Sequence, residues 1–531
     1  MDEPCKRIAV FGPGLNGTLS AACYGNKAAG LSEMTAAGIP VPPGFVLPVT
    51  VCREYYRNGQ RLSSDVPDLL GKGVSYLEKA TGYMFGGARK PLLVSVRSGA
   101  PVSMPGIMDT ILNVGLTPVT VRALLAQTGN PRFVYDTYRR FLENFGTSIL
   151  NHPAKAYAQN LRDLMMREGI SDERELDYQS LRSLCLSYEK EYTLPEHRAC
   201  LTDARQQLIE CASAVLRSFT GPRASSFFRN GLAGSVSGTA VTVQAMVFGN
   251  MGASSGAGVA FTRNPWTGSK EVLIDFRFGG QGEDVVSGDR EAMTQDELAQ
   301  VMPDVYSELV HICRRLETHF SDMQDIEFTV QEGKLFLLQT RSGKRAPYAA
   351  LRIAVDLCTE GILTQTEALT LLEQIDLDAI RIQTLSSMDR PVGRGISASG
   401  GIACGTVALT PERAEVDVQT GPVILIRETA SPDDIAGIDV AAGLLTARGA
   451  RTSHAAVVAR QLGKVCVVNF TDLRIDLPRH RCSIGDISFR EGEVISIDGN
   501  TGVVYKGKVT VRSDRPSDLI GTVRSWQASR D

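Results

Sequence analysis

The apolar patterning of this chain changes character four times, and no single layered core accommodates that. Residues 1 to about 115 are rich in Gly and Pro, with short apolar runs between loops. Two of those runs read as strands: Val41 to Leu47, entered through Pro42-Pro43-Gly44, and Leu92 to Val96. From 118 to about 220 the spacing is helical; Leu181, Leu184, Cys185 and Tyr188 fall on one helix face. Strand-like runs return at VTVQAMVFG, GVAFTRNP and EVLIDFRF. Val305, Leu309, Ile312, Leu316 and Phe320 then mark an amphipathic helix over 303–320. Residues 342–390 read as a mostly helical connector, and 393 to about 508 as a separate small β-rich α/β domain. The final stretch, SDRPSDLIGTVRSWQASRD, reads as a tail or linker. A length of 531 residues fits this division, since a domain takes roughly 100–200 residues.

Bulk properties exclude several classes of function. A net charge of −3 gives no general field for nucleic acid or an anionic membrane. No stretch reaches the ~18 consecutive apolar residues that a spanning helix needs. The N-terminus is acidic and carries only a short apolar run, unlike a secretory signal. The eleven cysteines are scattered singly with no CxxC pair, which predicts reduced thiols and a cytoplasmic location.

Three segments carry candidate chemistry. In TARGARTSHAAVVARQLGK (446–464), Thr452 or Ser453 can cap a helix that runs from Ala455 to Leu462 and stops at Gly463. His454 then lies in the first turn, where free N–H groups and the helix dipole favour a phosphoryl dianion. Neutral imidazole is a competent nucleophile near neutral pH, and Arg448 and Arg451 can pair with phosphate. A lone histidine would more often be a cap or a surface group; here the small residues, the arginines and the helix start agree.

The second segment, SVRSGAPVSMPGIMDT (95–110), offers Arg97, Ser98, Gly99, Ser103, Gly106, Asp109 and Thr110 as a phosphate-binding loop. The third is a hairpin, Asp325–Val330 and Lys334–Arg341, around Gln331-Glu332-Gly333. A three-residue loop puts Asp325, Glu327, Gln339 and Arg341 on one face, whereas a two-residue loop turns Gln339 and Arg341 away from the carboxylates. Two acids two residues apart on a strand can hold Mg²⁺ on a nucleotide polyphosphate. Two further patterns are decoys. Gly12, Gly14 and Gly17 form a GxGxxG, but the next strand is Pro-rich and Glu33 lies in the wrong context for a dinucleotide site. Gly25-Asn26-Lys27-Ala28 lacks the spacing of a Walker A loop.

Taken together these segments resemble the pyruvate, phosphate dikinase and phosphoenolpyruvate synthase family. The resemblance rests on GNKAAGLSEMTAAGIPVPPGF (25–45), LLVSVRSGAPVSMPGIMDTILNVGL (92–116), VQAMVFGNMGASSGAGVAFTRNPWTG (243–268), QGEDVVSG (281–288), MQDIEFTVQEGKLFLLQTRSGKR (323–345) and LTARGARTSHAAVVARQLGK (445–464), in family order over most of residues 20–505. It implies a multidomain α/β (α+β) fold: an ATP-grasp nucleotide-binding domain over 1–341 with a helical subdomain at about 118–225, a helical linker over 342–390, a swivelling β/β/α phosphohistidine domain over 391–510, and a tail over 511–531.

The resemblance also assigns roles. Lys27 and Arg97 hold ATP phosphates, with Ser103, Gly106, Asp109 and Thr110 in the same loop. Asp325 and Glu327, with Gln339, serve Mg²⁺, and Gln339 and Arg341 lie beside the phosphates. Gln244, Met246, Val247 and Glu283 surround the nucleoside. His454 carries the phosphoryl group, taken from the β position of ATP with release of AMP; inorganic phosphate or water takes the γ-phosphoryl. The expected acceptor is pyruvate, giving phosphoenolpyruvate, on a separate barrel domain or subunit, because the family's (β/α)₈ barrel has no counterpart in these 531 residues. The alternatives are a kinase for another small acceptor and a non-catalytic nucleotide-binding regulator. Family members usually carry Pro at the position of Gly400.

Overall fold

The computed structural model describes residues 5–15, 17–101, 110–170, 173–220, 238–281, 292–385, 390–430, 434–451 and 453–529, with backbone alone at 174, 454, 455 and 461. It divides into two units: Met1–Gly252 with Phe336–Thr340, and Ala253–Leu335 with Arg341–Asp531.

The first unit is built on an antiparallel sheet. Its strands run Ala9–Phe11, Gly44–Leu47, Ala240–Ala245, Val94–Gly99 and Thr110–Val114 in spatial order. Ala240–Ala245 is buried at every residue, as an apolar run in the sheet centre should be. Ala9–Phe11 pairs antiparallel with Gly44–Leu47, which disposes of the dinucleotide reading of Gly12, Gly14 and Gly17, since that fold needs parallel neighbours. Helices between Pro118 and Ser218 follow as the spacing predicts. Thr117 and Thr120 close a capping box at the start of Pro118–Thr128, Gly129 ends it at φ 60°, and Asn130 caps Pro131–Ser148. Leu181, Leu184, Cys185 and Tyr188 are the buried face of Tyr178–Glu189.

A further sheet runs Lys334–Ser342, Gln324–Gln331, Gly256–Phe261, Leu273–Phe278 in spatial order, the last three strands belonging to the second unit. The predicted helix is Pro303–Phe320, and it buries Val305, Leu309, Ile312 and Leu316. Arg263 is fully buried and donates to both oxygens of Glu317 at 2.9 Å and to Glu360 at 3.0 Å, tying sheet, helix and connector at one point. The connector contains Pro347–Thr359 and Gln365–Leu372, the latter started by a Thr364/Glu367 capping box.

The C-terminal stretch is not a tail. Val511–Asp514 pairs with Ile382–Leu385, and the helix Ser517–Ala528 buries Ile520 and Val523 among Leu351, Ile353 and Leu372. Leu519, Ile520, Val523 and Trp526 have the one-sided helical spacing that makes this packing possible.

The remaining sheet has eight strands among the described residues. Ile402–Ala408, Val423–Arg427, Gly443–Thr446 and Val465–Val468 are parallel neighbours. Parallel strands need a crossover, and between Gly443–Thr446 and Val465–Val468 the crossover is the helix His454–Gln461.

Two expectations from bulk sequence need restating. No helix among the described residues is long and apolar enough to cross a membrane. The thiols are not all reduced: Cys5 and Cys23 form a disulfide, and nine cysteines are free. Spacing could not reveal the pair, because a helix start and a strand entry bring the two together across 18 residues.

Candidate active site

Lys27 owes its place to a break in its own helix. Within Ala21–Ala36, Gly25 takes φ 78° and ψ 157°, so the regular turns restart at Asn26 and Lys27 falls in their first turn. A Cβ built on Gly25 would lie 2.0 Å from the Gly99 carbonyl oxygen, and the Asn26 N–H donates to the Ala100 carbonyl at 3.1 Å. The break is thus keyed onto the end of Val94–Gly99. Arg97, on that strand, is buried and donates from Nη1 to the Leu338 carbonyl at 3.2 Å. Thr110 faces Arg97 across the ladder. Two cations and a helix start are therefore brought to one corner, a suitable place for polyphosphate. Gly25→Ala is expected to weaken ATP binding about tenfold, by displacing Lys27 from this corner; titration calorimetry measures it.

Ser103, Gly106, Asp109 and Glu283 lie outside the described residues. Gln244 is buried, and its Nε2 donates to the Pro42 carbonyl at 3.0 Å, holding the Pro-rich entry to Gly44–Leu47. Met246 and Val247 follow the strand and are half-buried; the Met246 N–H donates to the Leu93 carbonyl.

The hairpin differs from expectation. Its turn has two residues, Glu332 at φ 50° and Gly333 at φ 78°, not three. Both left-handed positions match the type I′ turn that suits strand twist. Strict alternation from such a turn sends Gln339 and Arg341 to the face opposite Asp325. Gln339 is half-buried, and alternation of burial lapses at Leu338 and Gln339. Thr340 is buried where strict alternation would expose it, so the lapse returns Gln339 and Arg341 to the face of Asp325, and Arg341 donates to Oδ2 from Nε at 2.8 Å and from Nη2 at 2.7 Å. Burial raises the Asp325 pKa above the usual carboxylate range, Arg341 opposes that, and Glu327 adds to it. A carboxylate pair in this state gains from a further cation. Among the described residues no set of three or more His, Cys, Asp or Glu forms a metal cage. The two hard carboxylates nevertheless fit Mg²⁺, which keeps waters and draws much of its coordination from nucleotide phosphates.

The histidine helix begins as the sequence predicts. Ser453 is its N-cap, with Oγ accepting from the Ala456 N–H at 3.2 Å, and His454 is the first helical residue. Gly449, at φ 129°, lets the chain turn out of the strand. Arg448 is exposed and lies 3.5 Å from Glu428.

Arg451 departs from expectation. It is buried, and its charge belongs to Asp275 rather than to an open phosphate site. Its Nη1 donates to Asp275 Oδ1 at 2.7 Å, and its backbone N–H donates to Oδ2 at 2.9 Å. Further bonds reach the Ile274 and Ser397 carbonyls. Arg451 thereby links the strand Leu273–Phe278 to the strand Ile396–Ser399.

Next to it, Arg460 donates to the Arg451 carbonyl at 2.6 Å and lies over the Trp266 ring at 5.4 Å. Burial lowers its pKa, while the charge of Asp325 acts to raise it. A Cβ on Gly400 would lie 2.7 Å from Trp266 Cδ1, so glycine at 400 is what lets the indole pack there. Sequence reading missed Asp275, Trp266 and Arg460. One signal was available: a lone carboxylate inside the apolar run EVLIDFRF demands a buried partner.

A nucleotide-binding region followed by a histidine-bearing α/β module defines a class of phosphotransfer proteins. Residues 60–304 and 290–358 match the pyruvate phosphate dikinase AMP/ATP-binding domain, and residues 419–502 match the mobile domain of PEP-utilising enzymes. The chain belongs to the pyruvate phosphate dikinase family. It is 41% identical over 510 residues to pyruvate, phosphate dikinase of Clostridium symbiosum, covering 94% of this chain and 58% of that one. It is 40% identical over 530 residues to the chloroplastic pyruvate, phosphate dikinase 1 of Arabidopsis thaliana, covering 98% and 55%. The chain thus spans a little over half the length of these relatives.

Proposed function

We propose that this chain takes the β-phosphoryl group of Mg-ATP onto His454, releases AMP, and passes the phosphoryl group to an acceptor. Pyruvate, yielding phosphoenolpyruvate, is the acceptor this reading favours, on a barrel supplied by a separate domain or subunit. The observation that carries it is the start of the crossover helix: His454 opens it, Ser453 caps it, and it follows a parallel strand in the mobile-domain region. Functionally the chain then comprises a nucleotide-binding domain over 1–341, a connector over 342–390 and a moving phosphohistidine domain over 391–510. A cytoplasmic site of action completes this reading.

Each group has a defined task. Lys27 and Arg97 neutralise the polyphosphate and stabilise charge on the transferring group. Gln244, Met246 and Val247 flank the nucleoside, and Gln339 and Arg341 assist at the phosphates. Asp325 and Glu327 would hold Mg²⁺, which supplies charge neutralisation at the phosphate oxygens. The imidazole attacks the β-phosphorus, AMP departs, and inorganic phosphate or water takes the γ-phosphoryl, so that one phosphoryl group remains on nitrogen. The domain carrying His454 must then move to the acceptor as a unit.

The test is positional labelling. With inorganic phosphate present, ATP labelled at the β-phosphorus is expected to label the protein and yield AMP. Label entering only from the γ-phosphorus, with ADP as product, would show an ordinary kinase instead and remove this proposal.

A further inference from the structure

The disulfide joins the N-terminal segment to the residues that place Lys27. Cys23 lies two residues before the Gly25 break and four before Lys27. The segment on the Cys5 side is firmly held. The Tyr24 hydroxyl donates to the Lys6 carbonyl at 3.2 Å, Arg7 bridges Glu54 and Asp65, and the Tyr76 hydroxyl donates to the Phe11 carbonyl at 3.0 Å. Between the two cysteines the chain passes Gly12, Pro13, Gly14 and Gly17, with Gly12 at φ 147° and Gly14 at φ 83°. A cross-link over such a stretch removes freedom that the chain otherwise keeps.

Accessibility separates this pair from seven of the other nine cysteines. Cys5 and Cys23 are both half-exposed. Of the nine free cysteines, all but Cys358 and Cys404 are buried. Burial pushes the thiols of Cys313, Cys466 and Cys482 up to about 12, which makes them poor nucleophiles. In a chain whose other thiols stay reduced, one accessible disulfide reads as a redox-responsive element rather than part of a structural framework.

We propose that Cys5 and Cys23 are a reversible redox modification site, oxidised by small disulfides of the glutathione class, that positions the Lys27 loop for ATP. The proposal rests on the reading of Lys27 as an ATP ligand. In the oxidative direction one cysteine thiolate attacks glutathione disulfide and expels a glutathione thiolate, leaving a mixed disulfide. The second cysteine thiolate then displaces the bound glutathione. The two protons given up by the cysteines end on the two glutathione thiols, and the protein loses two electrons. Reduction by a dithiol reverses both steps. In the oxidised form the Cys23–Lys27 segment is anchored on one side to Cys5 and on the other to Gly99 and Ala100. In the reduced form the covalent tie is lost, and the Tyr24–Lys6 hydrogen bond and the second anchor remain.

The full chain is equilibrated with glutathione disulfide or with dithiothreitol, and its redox state is read by intact mass. Amide hydrogen exchange at residues 24–28 and affinity for a non-hydrolysable ATP analogue are then measured. Reduction is expected to speed exchange and to weaken the affinity about fivefold. Cys5→Ser should match reduced wild type in dithiothreitol, and in glutathione disulfide it should stop at a mixed disulfide on Cys23. Thiols that remain unpaired in glutathione disulfide overturn the proposal, as does identical exchange in the two forms. Exchange that changes with no change in a measurable affinity overturns the positioning of Lys27. Exchange that changes while neither form binds nucleotide supports redox control of the loop and removes the ATP reading instead.

Discussion

Protein carrying asparagine in place of His454 is expected to take up no phosphoryl group from ATP. Asparagine keeps a short polar side chain in the first helical turn, so the Ser453 cap and the buried Ala456, Val458 and Ala459 have no reason to move. It has no lone pair nucleophilic enough to attack phosphorus at neutral pH. Loss of a covalent nucleophile removes the pathway altogether, so the rate should fall by at least ~10⁴-fold, to the detection limit. ATP affinity should be unchanged, because the cations assigned to the polyphosphate, Lys27 and Arg97, lie on other elements. Intact mass after incubation with Mg-ATP reads the first effect and calorimetry the second. A phosphoryl adduct that persists in His454→Asn would assign the carrier to another residue.

Much of this architecture was legible because local signals agreed with one another. The helix Pro303–Phe320 declared itself through its apolar spacing, and the histidine helix through a cap, a run of helix formers and a terminal glycine. What escaped reading depends on contacts between distant segments. The hairpin turn differed by one residue because Glu332 takes a left-handed conformation, which a sequence reader assigns to glycine alone. The helix Ser517–Ala528 was read as a tail because its short apolar stripe acquires meaning only against Leu351 and Leu372. Arg451 looked like a phosphate ligand because it lies three residues from the histidine, while Asp275, which claims it, is 176 residues away. Glycine at 400 takes its meaning from Trp266, 134 residues earlier in the chain, which packs where a Cβ would lie.

Reversing the charge at Asp275 is expected to slow phosphoryl uptake on the order of 100-fold, about 2.7 kcal/mol in the barrier. Asp275 and Arg451 are both buried, at 2% and 6% exposure. A pair of that kind adds little net stability, since desolvation of both ions offsets their attraction, but leaving one ion unpartnered costs about 3–5 kcal/mol. Its service is therefore registry. Arg451 lies three residues before His454, and its bonds to Asp275 and to the Ile274 and Ser397 carbonyls fix the loop that leads into the histidine helix. Asp275→Arg should then lower thermal stability, through the unpartnered buried ions, and leave ATP affinity near wild type while uptake falls. Combining Asp275→Arg with Arg451→Asp should restore much of the rate, because the pair is rebuilt with its charges exchanged. Stopped-time intact-mass measurements on the four proteins of this cycle give the coupling directly. Wild-type uptake in Asp275→Arg would mean that the ion pair is a bystander to the alignment of His454.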